Sequence, residues 1–137
     1  MSAERATYLD SSAIVKLVVS ESESAALRRY VRRRAPLVVS ALARTEVARA
    51  LLHLGPGAAD RAADVLSRLE LIRVSDSILN AAGRLLPANV RSLDAIHLAT
   101  MQRLGSSLRQ LVTYDRRLAD SAGSLGIAAI SPRGPIR

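Results

Sequence analysis

The stretch Thr7–Val19, TYLDSSAIVKLVV, decides the reading of this chain. Thr7-Tyr8-Leu9 is short, β-branched or aromatic, and apolar, which predicts a buried strand. Asp10 follows. Ser11 and Ser12 then open a run in which Ile14, Leu17 and Val18 fall on one helical face. A carboxylate therefore sits where a buried strand hands over to a helix. In open α/β sheets that carboxyl edge is where ligands bind. Asp is also a favoured helix N-cap, so Asp10 has a plain structural role available. What separates the two readings is whether acids from distant parts of the chain reach the same edge.

The pattern recurs further along. Leu37-Val38-Val39 reads as a second strand after Pro36, and Ser40 as the cap of a helix over Ala41–Leu54. On that helix Ala43, Val47, Ala50, Leu51 and Leu54 have core spacing, and Glu46 borders the stripe. A carboxylate there must be paired, hydrogen-bonded or metal-bound; Arg44 and Arg49 are the nearby candidates. After Gly55-Pro56-Gly57, residues 58–69 form an amphipathic helix, and Leu71–Val74 a third strand. Ser75 or Asp76 caps a helix that stops near Pro87. Ser92 is expected to cap the next helix, with Asp94 in its first turn. That helix is apolar almost all round and should be central. His97 on it is expected to be a hydrogen-bonded core histidine. Gln110–Thr113 is a fourth strand, and Asp115 repeats the position of Asp10. A helix over 116–125 ends at Gly126, and residues 127–130 form a closing strand. Asp60, Asp64 and Asp76 read as surface or capping acids.

Strands alternating with helices imply an α/β domain, a mostly parallel sheet with helices on both faces. At 137 residues the chain suits a single domain, 1–137, with an irregular tail over 131–137. Hydrophobic residues at 49% argue against disorder, and absent cysteine removes disulfides and thiolate metal sites. With no Phe or Trp and three Tyr, an aromatic base-stacking platform is not expected. No apolar run approaches about 18 residues, so no membrane span is expected. MSAERA shows no signal-peptide core, so a cytoplasmic protein is expected.

The net charge of +8 points to a polyanionic partner. Five arginines lie within seven positions, Arg28 to Arg34. Helix-dipole complementarity accounts for some of them; a polyanion-facing patch accounts for the excess. Four carboxylates gathered in one pocket would repel one another, and a hard divalent cation such as Mg²⁺ resolves that repulsion. An acidic centre in a basic protein is the arrangement expected of a metal-dependent nuclease.

In order and spacing, YLDSSAIVKLVVSESES, SALARTEVARALL, RSLDAIHLATMQRLG and LVTYDRRLADSAGSLGI resemble the PIN domain, in particular the small VapC-type toxins of bacterial toxin–antitoxin pairs. The resemblance spans nearly the whole chain. It implies a three-layer α/β/α fold and Mg²⁺- or Mn²⁺-dependent endoribonuclease activity. It implies as partners an RNA substrate, a second copy in a homodimer, and a VapB-like antitoxin. The family's acidic positions fall on Asp10, Glu46, Asp94 and Asp115, and its supporting hydroxyls on Ser12 and Thr113. Asp10 and Asp94 would be the leading metal ligands. Asp115 would complete the site, and Glu46 would bind metal, orient water or act as base. Cleavage would leave a 3′-hydroxyl and a 5′-phosphate.

Two other Mg²⁺ folds fit poorly. A receiver domain needs adjacent acids after its first strand, where Ser11 follows Asp10, and a late lysine, where Lys16 is the only lysine. A haloacid-dehalogenase-type phosphatase needs an acid at the position of Ser12. The remaining rival is a non-catalytic PIN-like module that binds RNA or protein. The RNA and its cut site are not readable from the sequence, nor is the number of metal ions.

Overall fold

The buried segment Ala6–Leu9 forms β1, and Asp10 turns it into α1, Ser11–Val18. The structure, a computed structural model, describes residues 5–134; residues 1–4 and 135–137, which include parts of the N-terminal and tail readings above, lie outside the described residues. The chain continues through α2 (Ser24–Val31), β2 (Leu37–Ser40), α3 (Ala43–Leu51), a 3-10 turn (Leu52–Leu54) and α4 (Pro56–Ser67). It then runs through β3 (Glu70–Ile72), α5 (Asp76–Gly83), α6 (Ser92–Leu104), β4 (Leu108–Val112), α7 (Arg116–Ser124) and β5 (Ala129–Ile130).

Among the described residues the strands make one five-stranded sheet, ordered β3-β2-β1-β4-β5, and every pairing is parallel. β1 lies at the centre, and strand order reverses between β1 and β4. Such a reversal opens a crevice at the carboxyl edge. α1 packs on α2, α3 and α4, while α5 packs on α6 and α6 on β2. The helices thus cover both faces, as the alternation of elements predicts. The core is built from Tyr8, Leu9, Ile14, Leu27, Val39, Val47, Leu98, Met101, Leu111 and Leu118. Central α6 buries Ala95 and His97–Met101, consistent with its apolar circumference.

Several expectations are corrected. The helix after β2 gives way to the 3-10 turn at Leu52, whose tighter winding rotates the apolar stripe off the core. Leu54 is therefore 46% exposed; Ala50, which precedes the turn within α3, is exposed on the outer side of that helix. Ser40 receives the Leu42 N–H, one turn before the helix. Neither Arg44 nor Arg49 pairs with Glu46; His97 does. Ser92 does not cap α6: Arg91 occupies that position with no side-chain cap, and Asp94 supplies the negative charge of the first turn. Ser75, and not Asp76, caps α5. Gly126 closes the chain after α7 at φ +78°, a conformation open to glycine.

Arg32–Arg34 follow α2 and lead through Pro36 into the start of β2. In a wholly parallel sheet that loop occupies the amino edge, opposite the edge that carries Asp10. Arg34 also stacks on Tyr30 at 3.5 Å and donates to its carbonyl. The arginine run therefore does not flank the acids.

Thr7 is wholly buried in β1, and its hydroxyl has no partner among the described residues. Thr7→Val keeps the β-branched shape and removes the unmatched group. It is expected to raise stability by about 1 kcal/mol, read as a higher urea midpoint; a lower midpoint would reveal a hidden partner for that hydroxyl.

Candidate active site

Asp10 and Asp115 stand at equivalent places, each closing a strand and capping the helix that follows. Asp10 is 5% exposed and accepts the Ala13 N–H at 3.1 Å through Oδ1. Asp115 accepts the N–H groups of Arg117 and Leu118 at 2.9 and 3.3 Å. The structural role foreseen for Asp10 is therefore real, and it coexists with the edge position. Because β1 and β4 are neighbours, the two caps lie beside each other at the point of strand reversal.

Two hydroxyls tie them together. Ser12 Oγ donates to Asp10 Oδ1 at 2.7 Å, and Thr113 Oγ1 donates to Asp10 Oδ2 at 2.8 Å. Thr113 Oγ1 in turn accepts the Asp115 N–H at 3.0 Å, and Ser12 Oγ accepts the Tyr114 N–H at 2.9 Å. Ser12 and Thr113 thus fix Asp10 by its side chain, while Thr113 fixes Asp115 by its backbone. Burial pushes the Asp10 carboxyl above its ordinary range; Ser12, Thr113 and the Ala13 N–H offset this only in part.

Glu46 enters from α3. Its Oε1 accepts from Ser11 Oγ at 2.7 Å and contacts His97 Nε2 at 2.6 Å. Burial would raise this carboxyl, but the His97 contact and the Ser11 hydroxyl outweigh it and bring it below its ordinary value. Asp94 enters from the first turn of α6, its side chain 18% exposed and 3.6 Å from Arg91 Nε. Burial raises its carboxyl first, and the charge of Asp115 adds to the rise, with a smaller push from Glu46. Asp94 is thus within electrostatic reach of both Asp115 and Glu46.

Asp94 also lines a cleft of about 400 Å³ between the start of α6 and α7, whose walls include Arg91, Arg117, Asn89 and Ser121. Its two arginines, set against the acids Asp94 and Asp120, give that cleft means to hold a phosphate. Among the described residues, no three His, Cys, Asp or Glu side chains already form a group that could hold a metal. The donors here are nonetheless all hard oxygens carrying mutual repulsion. Mg²⁺ suits such a set, because it retains several waters and needs few protein ligands.

Sequence reasoning missed Ser11, and it missed that His97 belongs to the site through Glu46. The signal available was chemical: a histidine on an apolar helix must find partners for two nitrogens, and a buried tyrosine must find one for its hydroxyl.

A family model described as PIN domain matches residues 7–123. Among curated relatives, the chain is 58% identical over 127 residues to Ribonuclease VapC46 of Mycobacterium tuberculosis, covering 93% of this chain and 98% of that one. It is 40% identical over 129 residues to Ribonuclease VapC35 of the same species, covering 91% and 96%. Among solved structures, Mycobacterium tuberculosis VapC20, a sarcin-ricin loop cleaving toxin, superposes with a TM-score of 0.72 at 17% identity, over 92% of this chain and 99% of that one. The toxin–antitoxin complex from Klebsiella pneumoniae gives 0.69 at 21% identity, over 94% and 99%. These two likenesses show the fold.

Proposed function

The chain belongs to the PIN domain family, and from that premise we propose that it is a divalent-metal-dependent endoribonuclease, the toxin of a toxin–antitoxin pair. The observation that carries the reading is the meeting of β1 and β4 at the strand reversal. There Thr113 bridges Asp10 and Asp115, Ser12 holds Asp10 to the Tyr114 backbone, and Asp94 lies within electrostatic reach of Asp115 and Glu46. Asn would cap α1 as well as Asp does, so capping alone does not call for a buried carboxylate held against its desolvation cost. Its relatives' names, Ribonuclease VapC46 and VapC35, support the same substrate class.

Asp10 and Asp94 would hold Mg²⁺ or Mn²⁺, with Asp115 and Glu46 completing the set. When bound, the ion would lower the pKa of a coordinated water and neutralise charge on the phosphate oxygens. The remaining tasks fall to the chain itself. Ser12 and Thr113 keep Asp10 in one orientation. Glu46, held ionised by His97 and Ser11 through Oε1, has Oε2 available to orient the attacking water or take its proton. Arg91 and Arg117 grip the phosphate next to Asp94. Hydrolysis in this sense leaves a 3′-hydroxyl and a 5′-phosphate.

A protein partner is supported by an apolar groove of about 480 Å³ between α3 and α4, lined by Leu51, Leu52, Pro56 and Leu66. Leu52 is 73% exposed there, and exposed apolar surface of this kind marks protein–protein contact. We read the partner as a VapB-like antitoxin. Exposed Leu79, Leu86 and Leu93 around α5 and α6 support a homodimer. Among the described residues no helix is long and apolar enough to cross a membrane.

Purified protein is expected to cut RNA only with Mg²⁺ or Mn²⁺, to stop on chelation, and to be silenced by the product of a neighbouring small reading frame. Sequencing of 5′ ends after induction would show discrete cuts. RNA binding without cleavage under all metal conditions would leave the non-catalytic module as the answer.

A further inference from the structure

We propose that Tyr8 and His97 are positioning residues, a proton-ordered relay that holds Glu46 in its working orientation; this rests on the nuclease reading above. The relay begins on the backbone. The Ser40 N–H donates to Tyr8 Oη at 3.1 Å. Tyr8 Oη lies 2.6 Å from His97 Nδ1, and His97 Nε2 lies 2.6 Å from Glu46 Oε1. Tyr8 and Ser40 are fully buried and His97 is 2% exposed, so water does not substitute for any of these partners. The two rings meet edge to face, 5.8 Å apart at 87°.

Counting donors and acceptors leaves one consistent arrangement. Tyr8 Oη already accepts from Ser40, so its own proton needs an acceptor, and His97 Nδ1 is the group beside it. Nδ1 then carries a lone pair, and the ring proton resides on Nε2. That proton is donated to Glu46 Oε1. The reverse tautomer would set an Nε2 lone pair against a carboxylate at 2.6 Å and strand the phenol proton in a buried site. Which nitrogen of a histidine bears the proton is set by the bond its other nitrogen makes, and here that bond comes from β1.

The consequence is geometric. Ser11 Oγ also donates to Oε1, at 2.7 Å. Oε1 is thus held from two sides, and Oε2 has no hydrogen-bond partner among the described residues. One oxygen anchors the side chain and the other is left for chemistry. The relay draws on β1, β2, α1, α3 and α6, so the orientation of Glu46 is set by the core itself and not by the mobility of a surface helix. A histidine that merely filled the core would not need a carboxylate of the candidate site as its second partner.

Three measurements decide the matter. Long-range proton–nitrogen spectra of imidazole-labelled protein should show His97 as a single tautomer, protonated on Nε2, and Tyr8→Phe should turn that into a mixture. A glutamine amide reaches the Nε2 position and an asparagine amide only the Nδ1 position. His97→Gln should therefore stay within a few-fold of wild-type cleavage. His97→Asn should lose roughly 10–100-fold, the usual cost of removing an outer partner of a metal site, in kcat with KM little changed. In a Glu46→Gln background the Asn substitution should cost nothing further, because its effect runs through Glu46. Melting curves establish that each variant is folded. Equal losses in the Gln and Asn variants, an added loss in the Glu46→Gln background, or a wild-type His97 protonated on Nδ1 alone would each overturn the relay. If wild-type protein cleaves no RNA, the nuclease reading falls, and the nitrogen spectra still decide the relay by themselves.

Discussion

Asp10→Asn is expected to lower RNA cleavage by about 10³-fold or more while leaving the protein as stable as before, or more so. The loss of rate follows from the several kcal/mol of charge stabilisation that a metal contributes at a phosphoryl centre. The retained stability follows from the surroundings of Asp10. Asn is as good an N-cap as Asp, so its Oδ1 keeps the Ala13 N–H and the Ser12 hydroxyl. Its amide N–H₂ would face Thr113 Oγ1, a hydroxyl that can accept as well as donate. The freed Thr113 proton can turn to Ser12 Oγ, 3.3 Å away. No hydrogen bond need be lost, and a buried charge disappears. Burial raises the Asp10 carboxyl above its ordinary value of 3.8. A raised folded-state value favours folding below the unfolded value, and that benefit is lost as pH rises through the folded one. Wherever it is ionised, the buried side chain is therefore a cost that the amide removes. Thermal melts at pH 7 without divalent ions check the stability half, and cleavage of a mixed RNA pool with Mg²⁺ checks the other. A variant that cuts at a rate comparable to wild type would remove Asp10 from the chemistry. One that melts well below wild type would show that the carboxylate earns its place structurally.

That pairing of lost activity with kept stability explains which parts of the molecule were legible in the sequence. The unit strand–acid–helix is local. Tyr8-Leu9 must be buried, Asp10 must cap, and Ile14 and Val18 must face inward, all within a dozen residues. Asp115 repeats the unit after Leu111-Val112, so the sheet edge and two of its acids follow from short-range rules. That Asp10 and Asp115 become neighbours requires knowing that β4 pairs with β1, a non-local choice that strand spacing leaves open. The partner of Glu46 was hidden for the same reason. Arg44 and Arg49 lie within three residues of it, whereas His97 lies 51 positions away and wins because α6 is buried and its nitrogens have no water. The end of α3 is not legible in the sequence because a 3-10 turn keeps the same apolar residues while changing the angle between them. The arginine run was legible as charge, but its distance from the acids depends on which end of β2 it feeds.

Asp94 is the acid on which the metal reading can be tested by stability alone. Its carboxyl has no hydroxyl partner among the described residues, only the exposed Arg91 side chain at 3.6 Å, three residues back at the start of α6, a contact of little strength. Burial and then the charge of Asp115 raise its carboxyl, so its ionised form is a burden in the metal-free fold. Asp94→Asn removes that burden and gives up a small helix-dipole benefit, about 0.3–1 kcal/mol. Without divalent ions the variant is expected to melt at or above wild type. Mg²⁺ reverses the order. A ligand at about 100 times its Kd stabilises the form it binds by ~2.7 kcal/mol, which for a domain of this size is roughly 10 °C in Tm. Wild type should gain that increment, and Asp94→Asn should gain little of it while losing cleavage as completely as Asp10→Asn. The double variant Asp10→Asn, Asp94→Asn should cut no worse than either single one, because groups that act as a unit fail as a unit. Calorimetric melts of wild type, both single variants and the double variant across a Mg²⁺ series measure the crossing directly. Equal gains in wild type and Asp94→Asn would mean that the ion binds elsewhere, and that Asp94 serves the phosphate cleft in some other way.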